Sequence, residues 1–255
     1  VRSVDLNADL GEIEGHEEVD ERILRFVTSV SVACGFHAGD PARMRRIARS
    51  AAALGVALGA HPSYSDKEGF GRRDVDVAAD TLASELAYQL GALVGIAKLE
   101  GSTVGYVKPH GALYHAIERD QTKAEALVEA VACFPGTRLL VRAGAPIGPI
   151  ACKHQVVLAR EAFCDRAYLS DGRIAARGDP GALMLDPELA SRQALSIVLE
   201  NRVTTMDGEA IPLEADSICI HGDTPGAVAI AARVRESLDA AGVVLRSFCA
   251  KERGT

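Results

Sequence analysis

The sequence predicts an α/β protein built as a closed β/α barrel, and three observations predict it. Short β-branched runs alternate about seven times with longer Ala/Leu/Arg-rich segments, the pattern of parallel strands joined by helical crossovers. Several of the short runs are continuously apolar, as strands covered on both faces are. Nearly every run ends in a polar or ionisable residue. A barrel gathers chemistry at the carboxyl ends of many strands on one rim, whereas an open sheet concentrates it near one switch point.

Taken in order, strands are expected over 4–8, 29–33, 56–60, 103–108, 138–142, 156–160 and 217–221, with 243–248 as a candidate eighth. Asp40-Pro41 opens the first clear helix, an N-cap followed by proline at the first helical position. Leu82, Leu86, Leu90 and Leu93 recur at helical spacing within a helix over 79–99. Further helices fit 123–134, 187–201 and 225–241. Two insertions interrupt the rhythm. Residues 61–74 form a loop rich in Gly, Ser, Asp and Arg, and 203–213 carries Asp207-Gly208, a dipeptide favoured in tight hairpin turns. No linker or composition shift divides the chain, so one barrel domain over 1–255 is expected.

Composition narrows the function. The chain has 28 Lys+Arg against 35 Asp+Glu, a net charge of −7, which gives no basic face for nucleic acid. Tryptophan is absent and aromatics are 4%, a poor supply of stacking platforms for bases or sugars. The six cysteines form no C-x-x-C pair; buried free thiols in a reducing compartment are expected. With no signal-like start and no run of eighteen apolar residues, a cytoplasmic protein without a membrane partner is expected. A P-loop, a G-x-S-x-G elbow and an H-E-x-x-H pair are all missing.

The strand ends supply the chemistry. Asp5, Asn7 and Asp9 alternate with Leu6, Ala8 and Leu10, so the polar set should point into the barrel. A buried carboxylate without a partner costs several kcal/mol, which calls for a cation, donors or a ligand. Of seven histidines, His37, His61, His110 and His221 follow apolar runs directly; His16, His115 and His154 read as ordinary residues. Lys108 can neutralise a carboxylate or a developing oxyanion, and His110 can transfer a proton near neutral pH. Arg72 and Arg73, in Gly69-Phe70-Gly71-Arg72-Arg73, suit a carboxylate or phosphate clamp that closes over the site. Arg142 ends the fifth strand, and Glu161, Asp165 and Arg166 follow the sixth. His221-Gly222-Asp223 has the makings of a general base with its carboxylate, although Asp223 could equally cap the next helix.

Seven ordered motifs are shared with a known family. They are Asp5-Leu6-Asn7-x-Asp9-Leu10-Gly11-Glu12, Ala33-Cys34-Gly35-Phe36-His37-Ala38-Gly39-Asp40, Gly59-Ala60-His61-Pro62, Gly69-Phe70-Gly71-Arg72-Arg73, Val107-Lys108-Pro109-His110-Gly111-Ala112-Leu113-Tyr114, Asp165-Arg166-Ala167-Tyr168 and Ile218-Cys219-Ile220-His221-Gly222-Asp223. Together they resemble the LamB/YcsF family, the A component of the bacterial ATP-hydrolysing 5-oxoprolinase. Ala8 stands where that family commonly has cysteine, and Ser63 where it has glycine.

The resemblance implies a (β/α)7 barrel like that of the glycoside hydrolases and deacetylases. It implies ring opening of the lactam 5-oxoproline to L-glutamate, with ATP as co-substrate and subunits B and C as partners. It assigns Asp5, Asn7, Asp9, His37, His61, Lys108, His110, Glu161, Arg166, His221 and Asp223 to the pocket. In that reading Lys108, His110, His221 and Asp223 are catalytic: the lysine polarises the amide oxygen and a histidine–aspartate pair protonates the nitrogen. Asp5, Asn7, Asp9, His37, His61 and Glu161 bind substrate, and Arg72, Arg73 or Arg166 takes the substrate carboxylate. Two alternatives remain open. One is a metal-dependent deacetylase of N-acetylated sugars, with Asp9, His37 and His61 holding a divalent metal. The other is a non-catalytic subunit that binds the lactam for its partners.

Overall fold

The computed structural model describes residues 2–250; residues 1 and 251–255 of the expected 1–255 domain lie outside the described residues. Seven parallel strands form the barrel: β1 (Ser3–Leu10), β2 (Ser29–Ala33), β3 (Ala57–His61), β4 (Val104–Val107), β5 (Arg138–Arg142), β6 (Leu158–Phe163) and β9 (Ser217–His221). The ring closes because β9 pairs in parallel with both β6 and β1, with Asp9 opposite His221. Leu6, Ala8 and Leu10 join the apolar layer between strands and helices, which also holds Ile47, Leu86 and Val234.

Among the described residues the helices are α1 (Glu17–Leu24), α2 (Pro41–Leu54), α3 (Ala79–Leu99), α4 (Gly111–Ala116), α5 (Gln121–Ala132), α6 (Gly148–Lys153), α7 (Pro187–Glu200) and α8 (Ala227–Ala240). Asp40 caps α2, its carboxylate accepting from the amides of Ala42 and Arg43 at 2.8 and 2.9 Å. Leu82, Leu86, Leu90 and Leu93 bury one face of α3, as their spacing requires. No helix of the described residues is long and apolar enough to cross a membrane. Between α7 and β9, β7 (Arg202–Thr204) and β8 (Ala210–Pro212) pair as an antiparallel hairpin, with Gly208 at φ +82° in its turn. All six cysteines are free; Cys133 and Cys152 are exposed rather than buried.

The candidate eighth strand, 243–248, is not a stave of the barrel. It shortens to β10 (Val244–Leu245), which pairs outside the ring with Ser3 and Val4 at the start of β1. The β1 edge beyond that point is already taken by β9. The chain beyond β10 instead packs Phe248 and Cys249 against Tyr106, Leu140 and Ala159.

The barrel interior is polar and layered. Deepest lies Asp5, which accepts hydrogen bonds from Thr28 Oγ1 at 2.6 Å, Ser29 Oγ at 2.7 Å and Ser217 Oγ. Burial nevertheless raises its pKa to about 6. Beside it Tyr106 shares a hydrogen bond with Ser31 at 3.1 Å. Gly59 makes room for that ring, since a Cβ there would lie 2.3 Å from Tyr106 Cζ. Gly59→Ala is therefore expected to cost about 1–3 kcal/mol, the usual penalty for overpacking, measured by denaturant unfolding. An unchanged midpoint would show that the Tyr106 ring yields freely.

Candidate active site

Above Asp5 and opening onto the carboxyl ends of the strands is a buried charge cluster centred on Lys108. Its ammonium lies 2.8 Å from Asp9 Oδ1 and 2.7 Å from Glu161 Oε1, and donates to Asn7 Oδ1 and Cys219 Sγ at 3.1 Å each. Burial opposes the charge, but Asp9, Cys219 and Glu161 outweigh it and hold the lysine pKa well above its usual value. Asn7 Nδ2 and Tyr114 OH donate to the two oxygens of Glu161, at 3.2 and 2.7 Å. An ammonium has three protons, and here Asn7, Glu161 and Cys219 accept them while Asp9 adds a second negative charge alongside. Of the two roles the sequence offers Lys108, neutralising a carboxylate or a developing oxyanion, the resting geometry displays the first. In this arrangement the lysine neutralises two carboxylates.

Three histidines converge beside this cluster on Glu12. His61 Nδ1 donates to the Lys108 carbonyl at 2.7 Å, and His110 Nε2 donates to the Phe70 carbonyl at 2.9 Å. Their other nitrogens, His61 Nε2 and His110 Nδ1, face each other at 3.0 Å. Glu12 Oε1 lies 3.1 Å from His110 Nδ1, 3.3 Å from His37 Nε2 and 3.6 Å from His61 Nε2. Burial pushes the His61 pKa down to about 3 and lowers that of His37 as well. The same burial would raise Glu12, but His110, His37 and His61 hold it well below the usual carboxylate range. Ligand atoms lie within 4.8 Å of one another in two groups, Glu12–His61–His110 and Asp9–Cys219–His221. The set Asp9, His37 and His61 expected for a metal is not one of them. The His37 ring stacks parallel on His110, with centroids 3.8 Å apart.

Across the barrel mouth His221 is paired, but with Asp165 rather than Asp223. His221 Nδ1 lies 2.9 Å from Asp165 Oδ1, and Asp165 Oδ2 accepts from the His221 amide at 3.0 Å and Thr224 Oγ1 at 3.2 Å. Burial alone would raise the Asp165 carboxyl; His221 outweighs it and holds the pKa at about 2. Asp223 is occupied elsewhere. It accepts from Arg72 Nη2 at 2.5 Å and from Arg177 Nη2 at 2.9 Å, linking two long loops across the mouth. Sequence adjacency suggested the wrong carboxylate because residue 223 has already turned away from the end of β9.

These groups line a cavity of about 470 Å³. Asp9, His61, Arg72, Lys108, His110, Arg166, His221 and Asp223 reach it, as does Glu12. Asn7, His37 and Glu161 support it from behind, and Asp5 lies beneath, remote from the opening. Arg73 turns outward: 61% of its side chain is exposed, and it pairs with Asp66 and Glu68. Its expected place in a substrate clamp is corrected by that geometry. Arg142 is locked bidentately to Glu118, at 2.8 and 2.9 Å. Arg166 is only 4% exposed; its Nη2 donates to the Ala175 carbonyl at 2.5 Å, its Nε has no hydrogen-bond partner, and no ion pair to it occurs among the described residues. Burial and the nearby Arg177 lower its pKa. A buried cation facing a cavity without a counter-ion is suited to an anionic ligand.

Glu12 and Arg177 are the residues that sequence reasoning passed over, and Asp165, though noted after the sixth strand, was not matched to His221. Glu12 stood within a quoted motif. The available signal was the glycine before it: Gly11 takes a φ of +77° at the end of β1, and Glu12 follows at the cavity.

A closed parallel β/α barrel with its ionisable residues massed at the carboxyl rim defines the class of small-molecule-site barrels. Within it, the chain belongs to the LamB/YcsF family, whose family model matches residues 4–253. The 5-oxoprolinase A component of Mycobacterium avium (strain 104) is 49% identical over 249 residues, 96% of this chain and 99% of that protein. A lactam utilization protein from Thermus thermophilus superposes with a TM-score of 0.90 at 44% identity, covering 96% of this chain and 100% of its own. A polysaccharide deacetylase from Bacillus cereus shares the fold at a TM-score of 0.51 and 12% identity, covering 100% of this chain and 95% of its own.

Proposed function

We propose that the chain, as one cytoplasmic barrel domain, opens the lactam 5-oxoproline to L-glutamate, as the A component of an ATP-hydrolysing 5-oxoprolinase with subunits B and C. The near-full-length likeness to a 5-oxoprolinase A component supports the reaction. The observation that carries it in the geometry is the His221–Asp165 pair on the same cavity as the unpaired Arg166. Arg166 takes the substrate carboxylate, which sets the lactam across the mouth. His221, oriented through Nδ1 by Asp165, uses Nε2 to accept a proton from the attacking water and to return it to the departing ring nitrogen. Cleaving the C–N bond then leaves a carboxylate and an amine, the two ends of glutamate. ATP hydrolysis drives the opening, and partner subunits supply the nucleotide contacts that a chain without a P-loop lacks.

The reading is tested by glutamate release from 5-oxoproline and ATP, with this chain alone and with subunits B and C. Turnover is expected only in the assembled complex. Robust ATP-dependent release by the chain alone would falsify the need for partners, and no release under any condition would sink the lactam reading. Arg166 provides a second check. Arg166→Met should raise KM for 5-oxoproline roughly 10–150-fold, the value of a charge-assisted contact, with kcat changed far less. Melting temperature should change little, because the variant removes a buried charge without an ion-pair partner while giving up one hydrogen bond to the Ala175 carbonyl. A fall in kcat at unchanged KM would place Arg166 against the transition state instead.

A further inference from the structure

We infer that Glu12, His61 and His110 form a three-ligand site for a divalent transition metal of the zinc class, with its open position toward the cavity. Two backbone carbonyls fix the tautomers. His61 gives its Nδ1 proton to the Lys108 carbonyl, and His110 gives its Nε2 proton to the Phe70 carbonyl. When both rings are neutral the remaining nitrogens each present a lone pair, and they face each other at 3.0 Å. A carboxylate oxygen, Glu12 Oε1, closes the triangle at 3.1 and 3.6 Å. Three acceptors held together this closely repel one another unless a proton or a metal ion lies among them. Histidine ligands that donate their second N–H to a carbonyl are the usual supporting arrangement of a metal site.

The dimensions fit. Zinc–nitrogen and zinc–oxygen bonds of about 2.0–2.2 Å place tetrahedral ligand atoms about 3.3 Å apart. The three observed edges, 3.0, 3.1 and 3.6 Å, bracket that value. His61 and His110 are perpendicular, at 88°, so one point can lie in both ring planes. His37 cannot join them, because its ring is parallel to His110 with centroids 3.8 Å apart, and an ion in the plane of one ring is out of the plane of the other. His37 instead approaches Glu12 Oε1 from outside at 3.3 Å and holds that carboxylate in place. Glu12, His61 and His110 all line the cavity, whereas His37 does not. That leaves a fourth position for water or substrate, as in catalytic rather than structural sites. A bound divalent ion there polarises an oxygen placed beside it.

The second cluster, Asp9–Cys219–His221, is the poorer candidate. The Lys108 ammonium lies 2.8 Å from Asp9 Oδ1 and 3.1 Å from Cys219 Sγ, a positive charge where a metal ion would have to bind. Burial also pushes the Cys219 thiol well above its usual pKa, which disfavours the thiolate a metal would need.

Metal content tests the assignment without reference to turnover, so it stands or falls separately from the lactam reading. The full chain is stripped with chelator, dialysed and titrated with Zn²⁺, then with Co²⁺. One equivalent per chain, a rise in melting temperature and a tetrahedral Co²⁺ visible spectrum without a thiolate charge-transfer band are expected. His37→Ala should weaken Zn²⁺ binding roughly 10–100-fold, as supporting residues do; Glu12→Gln and His110→Gln should weaken it more. Cys219→Ser should leave it unchanged. Failure of the folded chain to bind either ion, or a thiolate band that disappears in Cys219→Ser, overturns the assignment.

Discussion

His221→Ala is expected to lower kcat of the assembled complex by roughly 10²–10⁴-fold, the range for loss of a positioned acid–base group. Asp165→Asn should act in the same direction through His221. The asparagine keeps the size but cannot accept the Nδ1 proton as a carboxylate does, and its amide would oppose the His221 N–H that Asp165 now accepts at 3.0 Å. Asp223→Asn should change kcat much less, since Asp223 is bound to Arg72 and Arg177 rather than to His221. The contrast between the two aspartates is the informative result. Equal losses at Asp165 and Asp223, or a His221→Ala effect confined to KM, would remove His221 from the proton transfers. Steady-state kinetics with melting curves separates these outcomes from unfolding.

Lys108→Met should first destabilise the protein. Removing the ammonium leaves Asp9 and Glu161 facing each other in the barrel, with 5% and 0% of their surfaces exposed. Breaking a buried pair of this kind costs about 3–5 kcal/mol, which for a chain of this length corresponds to roughly 6–20 °C in Tm. Adding Glu161→Gln should recover part of that loss, because one of the two stranded charges is then gone. If Lys108→Met melts like the parent and loses only kcat, the ammonium is a free donor to the reacting oxygen and the neutralising role is wrong.

The site was partly legible in the chain. The four histidines, Lys108, Asp9 and Arg166 were visible because each lies at or within a few residues of a strand end, and a closed barrel carries every strand end to one rim. Lys108 and Arg73 were visible too, but what they touch was not. The lysine meets Glu161, 53 residues away, and Arg73 meets Asp66 within its own loop. His221 was paired with its neighbour in sequence, yet its partner stands 56 residues back, at the end of another strand.

By itself, the sequence determined the barrel, the order of its staves, the α2 cap, the leucine face of α3 and the hairpin turn at Gly208. These depend on short-range patterning: a period of two or of 3.6, a capping side chain, a positive φ. Only the tertiary structure decided that β9 closes the ring, leaving the last strand outside it, that Asp165 orients His221, and that Glu12 faces two histidine lone pairs. Ring closure sets which strand ends are neighbours, and hydrogen bonds and ion pairs change within ångströms of separation. Distances that fine depend on strand register and barrel tilt, to which every stave contributes at once.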